Sequence, residues 1–251
     1  MSSHSLKGKV AVVAGGGKNL GGMISRAFAR EGAKVLVHYN TDASCQEAED
    51  TVKAIQEMGG EAFAYQGDLT KPANIRTMFA RAKERFGAVD IAVNSVGKVL
   101  RKPILETTEE EFDAVLAANA KVAYFFIQEA GRHLSDDGKL ITILSSLLAA
   151  FTDGYSTYAG GKAAAEHYTR AAAKEFTPRG ISVNAVAPGP MDTPFFYGQE
   201  TPERVAFHKS QALKGQLTRV EDIVPIVTFL ATDGWWMSGQ TLFANGAYAT
   251  R

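Results

Sequence analysis

Three things are scarce in this 251-residue chain: cysteine, net charge and long apolar runs. The one cysteine, Cys45, cannot form an internal disulfide, and the five histidines stand at no metal-ligand spacing, so neither a disulfide framework nor a zinc motif is expected. Basic and acidic residues number 27 each, and this balance argues against a partner such as nucleic acid, whose phosphate backbone needs an excess of cations. No apolar run nears the roughly 18 residues of a membrane span. Met1 to Lys9 carry Ser, His, Lys and Gly instead of the apolar core of a secretory signal, so a cytoplasmic, non-membrane protein without metal is expected. A Ser-, Pro- or charge-rich linker and an internal repeat are missing too, and the chain reads as one domain over 1–251.

Glycine, in contrast, is plentiful, with 24 residues. Short apolar runs rich in valine and isoleucine recur at Val10–Ala14, Val35–His38, Ala62–Tyr65, Ile91–Val93, Leu140–Leu144, Ile181–Val186 and Thr241–Ala244. Between them the period is near 3.6. Ile75, Met78, Phe79, Ala82 and Phe86 form one stripe, and a longer one runs from Phe112 through Val115, Leu116, Asn119, Ala123, Phe126, Ile127 and Ala130 to Leu134. Strands apolar on both faces, alternating with amphipathic helices, predict a Rossmann-type α/β fold: a doubly wound parallel sheet of about seven strands with helices on both faces.

The first strand ends in Ala14-Gly15-Gly16-Gly17-Lys18-Asn19-Leu20-Gly21-Gly22, with helical sequence from Met23 to Glu31. Such a turn is either a tight packing corner or a place where backbone approaches a pyrophosphate at a helix N-terminus. The second strand, Lys34 to Thr41 through Tyr39 and Asn40, has no acid before Asp42, where an acid would favour NAD. Lys18 is either a solvated loop lysine or a cation for a 2′-phosphate, and together these features favour NADP(H). Asp68, beside Leu69 after the third strand, either accepts from an adenine amino group or caps the helix from Lys71.

Tyr158 and Lys162 stand four apart in Tyr158-Ala159-Gly160-Gly161-Lys162. That spacing shares a helix face, and a nearby ammonium would lower the phenol's pKa toward general-acid use. The alternative is a core aromatic with a surface lysine.

These residues resemble the short-chain dehydrogenases/reductases, in the branch that includes 3-oxoacyl-carrier-protein reductases, over roughly Leu6 to Tyr248. Tyr158 and Lys162 match the family's Tyr-x-x-x-Lys. The resemblance places the catalytic serine at Ser145, with Ser146 as the alternative, and a fourth catalytic position at Asn119, where the helix is interrupted and holds a water. Asn94 and Gly97 match the turn after strand four, and Pro188, Gly189 and Thr193 match the segment beside the nicotinamide. The first loop departs from the family pattern: Ala14 replaces Thr, Asn19 replaces a glycine, and only Gly15 and Gly21 match. Asn245 stands where many members carry Asp.

The resemblance implies reversible reduction of a ketone or aldehyde. Ser145 and Tyr158 would bond the carbonyl oxygen, Tyr158 would give the proton, and Lys162 would bond the ribose, lower the tyrosine's pKa and pass protons through the Asn119 water. A lid at about 190–215 is expected, where Phe195 and Phe196 either line the substrate pocket with Tyr155 or merely pack the lid. The implied substrate is a small carbonyl compound or a 3-oxoacyl thioester on acyl carrier protein, docked by Arg101, Lys102 and Arg132. Homotetramers are common in the family, and 233–239, with Trp235 and Trp236, is the expected subunit contact. A catalytically idle NADP(H)-binding regulator is the alternative class, which loss of Tyr158 or Lys162 would mark.

Overall fold

The computed structural model describes residues 5–250. Its sheet contains β1 (Val10–Ala14), β2 (Lys34–Tyr39), β3 (Ala62–Gln66), β4 (Ile91–Asn94), β5 (Lys139–Ile143), β6 (Ser182–Pro188) and β7 (Thr241–Ala244). All pairs are parallel, in the order β3-β2-β1-β4-β5-β6-β7. Chain direction across the sheet reverses between β1 and β4, and the crevice outside the carboxyl ends there is where such sheets bind ligands.

Strand alternation supplies both cores. On one face Ala11, Val13, Val35 and Val37 pack with Ile24 and Phe28 of α1 (Asn19–Arg30), Val52 and Ile55 of α2 (Cys45–Glu57), and Ile223 and Val227 of α9 (Val220–Ala231). On the other, Val12, Ala14, Leu36 and Leu140 pack with Ile75 and Phe79 of α3 (Pro72–Phe86), Phe126 of α5 (Val122–His133) and Ala172 of α6 (Ser156–Glu175). The remaining helices are α4 (Glu109–Leu116), α7 (Pro194–Tyr197) and α8 (Pro202–Ser210). No helix among the described residues is long and apolar enough to cross a membrane.

Two local departures from the sequence pattern matter for the site. Helix α1 starts at Asn19 instead of Met23, and its Gly21 lies so close to the loop that a Cβ there would sit 2.0 Å from the Gly15 carbonyl oxygen. Asn19 takes φ +47°, a left-handed conformation that asparagine tolerates better than most residues. The long stripe from Phe112 is not one regular helix: Ala117–Lys121 forms a π-type turn between α4 and α5. Phe112 itself is exposed.

Candidate active site

A cavity of about 1000 Å³ opens over the carboxyl ends of the central strands. At one end it is lined by Gly15, Lys18, Asn19, Leu20, Gly21, Tyr39, Asn40, Asp68 and Leu69, and at the other by Ser145, Tyr155, Tyr158, Lys162, Phe195 and Phe196. Gly97, Pro188, Gly189 and Thr193 lie along it as well. Asn94 alone of the cofactor residues read from the sequence stands outside that lining. It is buried, and its Oδ1 accepts from the Val96 N–H at 3.1 Å, holding the turn before Gly97.

The first turn of α1 suits an anion. Lys18 precedes it without side-chain capping and no acid stands in the turn, so the N–H groups that every helix N-terminus leaves unpaired face no competing carboxylate. Gly15 has φ +72°, and a Cβ on it would meet Ser95 Oγ at 2.8 Å. The turn is braced by His38, whose Nδ1 accepts from the Gly15 N–H at 2.9 Å. That acceptance puts the ring proton on Nε2, which donates to the Gly67 carbonyl at 2.8 Å. Burial lowers the His38 pKa to about 4. Nothing in the sequence singled out His38, since a histidine near a strand end reads as ordinary polarity.

Two expectations at this end change. Lys18 is not a free cation, for its ammonium contacts both carboxylate oxygens of Glu47 at 2.9 and 3.1 Å. Asp68 does not cap α3: its Oδ1 accepts from the Thr70 N–H at 3.0 Å and the Thr70 hydroxyl at 2.7 Å, and Lys71 precedes the helix without side-chain capping. Those bonds hold the Asp68 carboxyl below the usual carboxylate range.

At the other end, Tyr158 and Lys162 share the inner face of α6 and both are buried. Burial pushes the Tyr158 phenol up to about 12, with Ser145 acting in the opposite sense. The hydroxyl of Ser146, the alternative serine, donates to the Ala187 carbonyl at 3.2 Å. The Lys162 ammonium donates to the Ile143 carbonyl at 2.9 Å, and burial lowers its pKa to about 8. It stands 5.8 Å over the Tyr158 ring centroid. The expected lowering of the Tyr158 pKa by Lys162 is therefore not found in this arrangement: burial outweighs it, and the cation faces the ring.

Asn119 sits in the π-type turn, 2% exposed. Its amide donates to the carbonyls of Lys98 (2.7 Å) and Val115 (2.9 Å). Its Oδ1 is buried without a partner, an arrangement that calls for a donor such as water. A Cβ on Gly97 would lie 3.0 Å from that oxygen and 3.2 Å from the Lys162 ammonium, so glycine keeps the space between them open. Gly161 has a similar use, since a Cβ there would press on the Asn119 Cβ at 2.9 Å.

Phe195, from α7, places its ring 6.4 Å from that of Tyr158, whereas Phe196 stands edge-on to His208 at 5.4 Å. Glu200, His208 and Tyr248 also line the cavity, and sequence reading assigned none of them to the site. The three basic residues considered for docking a carrier are all in internal ion pairs: Arg101 with Asp153, Lys102 with Glu111 and Arg132 with Glu129.

The site thus combines an uncapped helix start with a buried phenol, a part-buried serine hydroxyl and a buried ammonium along one crevice. Residues 15–249 match the family described as enoyl-(acyl carrier protein) reductase. A Burkholderia cenocepacia protein solved with bound NADP is 53% identical, with TM-score 0.97 over 100% of this chain and 97% of the other. The chain is 34% identical to the chloroplastic NADPH-dependent aldehyde reductase-like protein of Arabidopsis thaliana, over 99% of this chain and all of that one. It is 35% identical to a hydroxynaphthalene reductase-like protein of Metarhizium brunneum, over 98% of this chain and 97% of the other. Likeness of this extent, over a seven-stranded parallel sheet with helices on both faces, makes the chain a member of the short-chain dehydrogenases/reductases.

Proposed function

We propose that the protein reduces a ketone or aldehyde to an alcohol with NADP(H) as cofactor, and that Tyr158, Ser145, Lys162 and Asn119 carry the chemistry. The observation that carries this reading is the single cavity that joins buried Tyr158 and Lys162, with Ser145 beside them, to the open first turn of α1. When bound, the reduced nicotinamide supplies the hydride. Gly15, Asn19, Leu20 and Gly21 would hold the pyrophosphate, Lys18, Tyr39 and Asn40 the 2′-phosphate side, Asp68 and Leu69 the adenine, and Gly97, Pro188, Gly189 and Thr193 the nicotinamide side, with Asn94 supporting the turn.

The chain's own groups then do three things. Ser145 and Tyr158 donate to the carbonyl oxygen as negative charge grows on it, a contribution from dipoles already in place. Tyr158, held protonated by burial, gives up its proton as general acid. Lys162 and the water called for by the orphan Asn119 oxygen refill that proton from solvent. In the reverse direction the same hydroxyl accepts the proton of an alcohol.

Similarity to an aldehyde reductase-like and a hydroxynaphthalene reductase-like protein supports a small carbonyl substrate. A carrier-bound 3-oxoacyl thioester has less support, because Arg101, Lys102 and Arg132 are engaged within the chain. The exposed Phe112, Tyr124 and Trp236 support burial against further copies in a homotetramer, which sedimentation would measure. Cys45, free of any disulfide, supports a cytoplasmic setting. The segment at about 190–215 is read as the lid, carrying Phe195 and Phe196 over the pocket with Tyr155.

The deciding experiment is Tyr158→Phe. Loss of the general acid is expected to lower carbonyl turnover by about 10²–10⁴-fold, read as NADPH consumption over a panel of ketones and aldehydes, while NADPH still binds in a fluorescence titration. Substantial turnover by the variant would remove Tyr158 from its role.

A further inference from the structure

The turn between α7 and α8 carries Glu200, whose side chain is 0% exposed. A carboxylate taken out of water costs several kcal/mol unless donors replace the water, so its surroundings must be accounted for. Oε1 accepts from the Tyr155 hydroxyl at 2.5 Å and from His208 Nε2–H at 3.2 Å. Oε2 faces Arg101 Nε at 3.8 Å, beyond hydrogen-bond reach, and neither of those two buried atoms has another partner.

The same segment is tied down on either side of Glu200. Gln199 Oε1 accepts from the Arg101 backbone N–H at 3.1 Å, and Arg204 reaches Asp153 at 2.7 and 2.8 Å, the same carboxylate that Arg101 contacts at 3.2 Å. Residues 199–208 therefore converge on the loop at 101 and on 153–155, immediately before α6. Tyr155 stands three residues before Tyr158, with the two rings edge to face at 6.4 Å. Burial and the Glu200 carboxylate both push the Tyr155 phenol up, so its hydroxyl stays a donor. The pair Glu200–Arg101 is a loose contact in an otherwise closely bonded cluster.

Building on the carbonyl-reductase reading, we propose that Glu200 is a positioning residue: with 194–210 seated on the pocket, its carboxylate holds Tyr155 against Tyr158. Lid closure and alignment of the general acid are then one event. Glu200 touches no reacting atom and acts through Tyr155.

The test compares wild type, Glu200→Gln, Tyr155→Phe and the double variant, with 9,10-phenanthrenequinone as the carbonyl probe and NADPH deuterated at the transferring position. Misalignment of the acid is expected to lower kcat by about tenfold or more in each single variant and to raise the isotope effect on kcat. The double variant should be no worse than either single one, because both act on one contact. A rise in KM alone, with kcat and isotope effect unmoved, would overturn the proposal, as would losses that multiply in the double variant. Hydrogen exchange on the NADP-loaded proteins separates this from the reading beneath it. Faster exchange of both 194–210 and 153–160 in Glu200→Gln supports the coupling, and faster exchange of 194–210 alone refutes it, whether or not the quinone is turned over. Wild type that consumes no NADPH with this or any other carbonyl would refute carbonyl reduction itself.

Discussion

The Lys162 ammonium is bonded to the Ile143 carbonyl and stands over the face of Tyr158, so strand β5 holds the cation and the phenol receives it ring-on. Burial lowers the lysine to about 8, which places its charge within reach of ordinary assay conditions. The ammonium is present below pH ~8 and lost above it. Carbonyl reduction by wild type should therefore fall as pH rises through about 8, in profiles of kcat/KM that report the free enzyme. Lys162→Arg keeps its charge at every accessible pH, and its profile should lack that alkaline limb even at reduced activity. An unchanged limb in the variant would assign it to another group.

Lys18 and Glu47 make an exposed pair, and pairs of that kind contribute only about 0–1 kcal/mol. A 2′-phosphate can thus take over Lys18 at little cost, with the Glu47 carboxylate as its competitor. Lys18→Ala should weaken NADPH by about tenfold while leaving NADH nearly unchanged, and Glu47→Gln should tighten NADPH, with both effects shrinking in high salt. Fluorescence titrations with the two cofactors provide the measurement. Equal loss of both cofactors in Lys18→Ala would take Lys18 out of phosphate recognition.

His38 is neutral in the fold, with a pKa of about 4 against about 6.5 when unfolded. Above pH 6.5 neither state binds the proton. As pH falls from there the unfolded chain takes it first, so stability is lost progressively down to about pH 4. The loss amounts to about 2 kcal/mol between pH 7.5 and pH 5 from this group. Urea unfolding at the two pH values should show a smaller difference in His38→Asn than in wild type. The variant should also bind NADPH more weakly, because the Gly15 turn loses its imidazole acceptor.

Asn119 offers a test of the π-type turn. Asn119→Ala removes the donors to Lys98 and Val115, and two carbonyls losing partners should cost about 1–3 kcal/mol of stability. Turnover should fall further than stability explains, with a changed solvent isotope effect if the orphan oxygen holds the proton-relay water. Unaltered turnover in a folded variant would leave Asn119 a helix-shaping residue only.

What the sequence disclosed follows physical lines. Strands such as Val10–Ala14 were legible because a five-residue, valine-rich apolar run that ends at a glycine turn is too short for a typical helix, and Tyr158 with Lys162 because their spacing is a single helical turn. Asn119 stood out as the polar member of an apolar stripe. The grip on Glu200 was hidden, for its partners Arg101, Tyr155 and His208 lie 99, 45 and 8 residues away, on separate elements with no shared period. The Lys18–Glu47 pair was hidden for the same reason. Asn94 was expected beside the cofactor from its match to the family's turn; that it ends β4 with its Oδ1 accepting from the Val96 N–H depends on backbone geometry that composition does not encode.

The π-type turn at Ala117–Lys121 makes this helix sensitive to length. An α-helix advances about 100° per residue, and the wide turn accommodates one residue more than a regular helix would over that stretch. Deleting a single residue between Ala117 and Lys121 would let α4 and α5 join into one regular helix. The flanking faces, Phe126 included, would keep their register, and the turn's own residues, Asn119 among them, would lose their placement. A one-residue deletion here should therefore leave a well-folded helix attached to an inactive site.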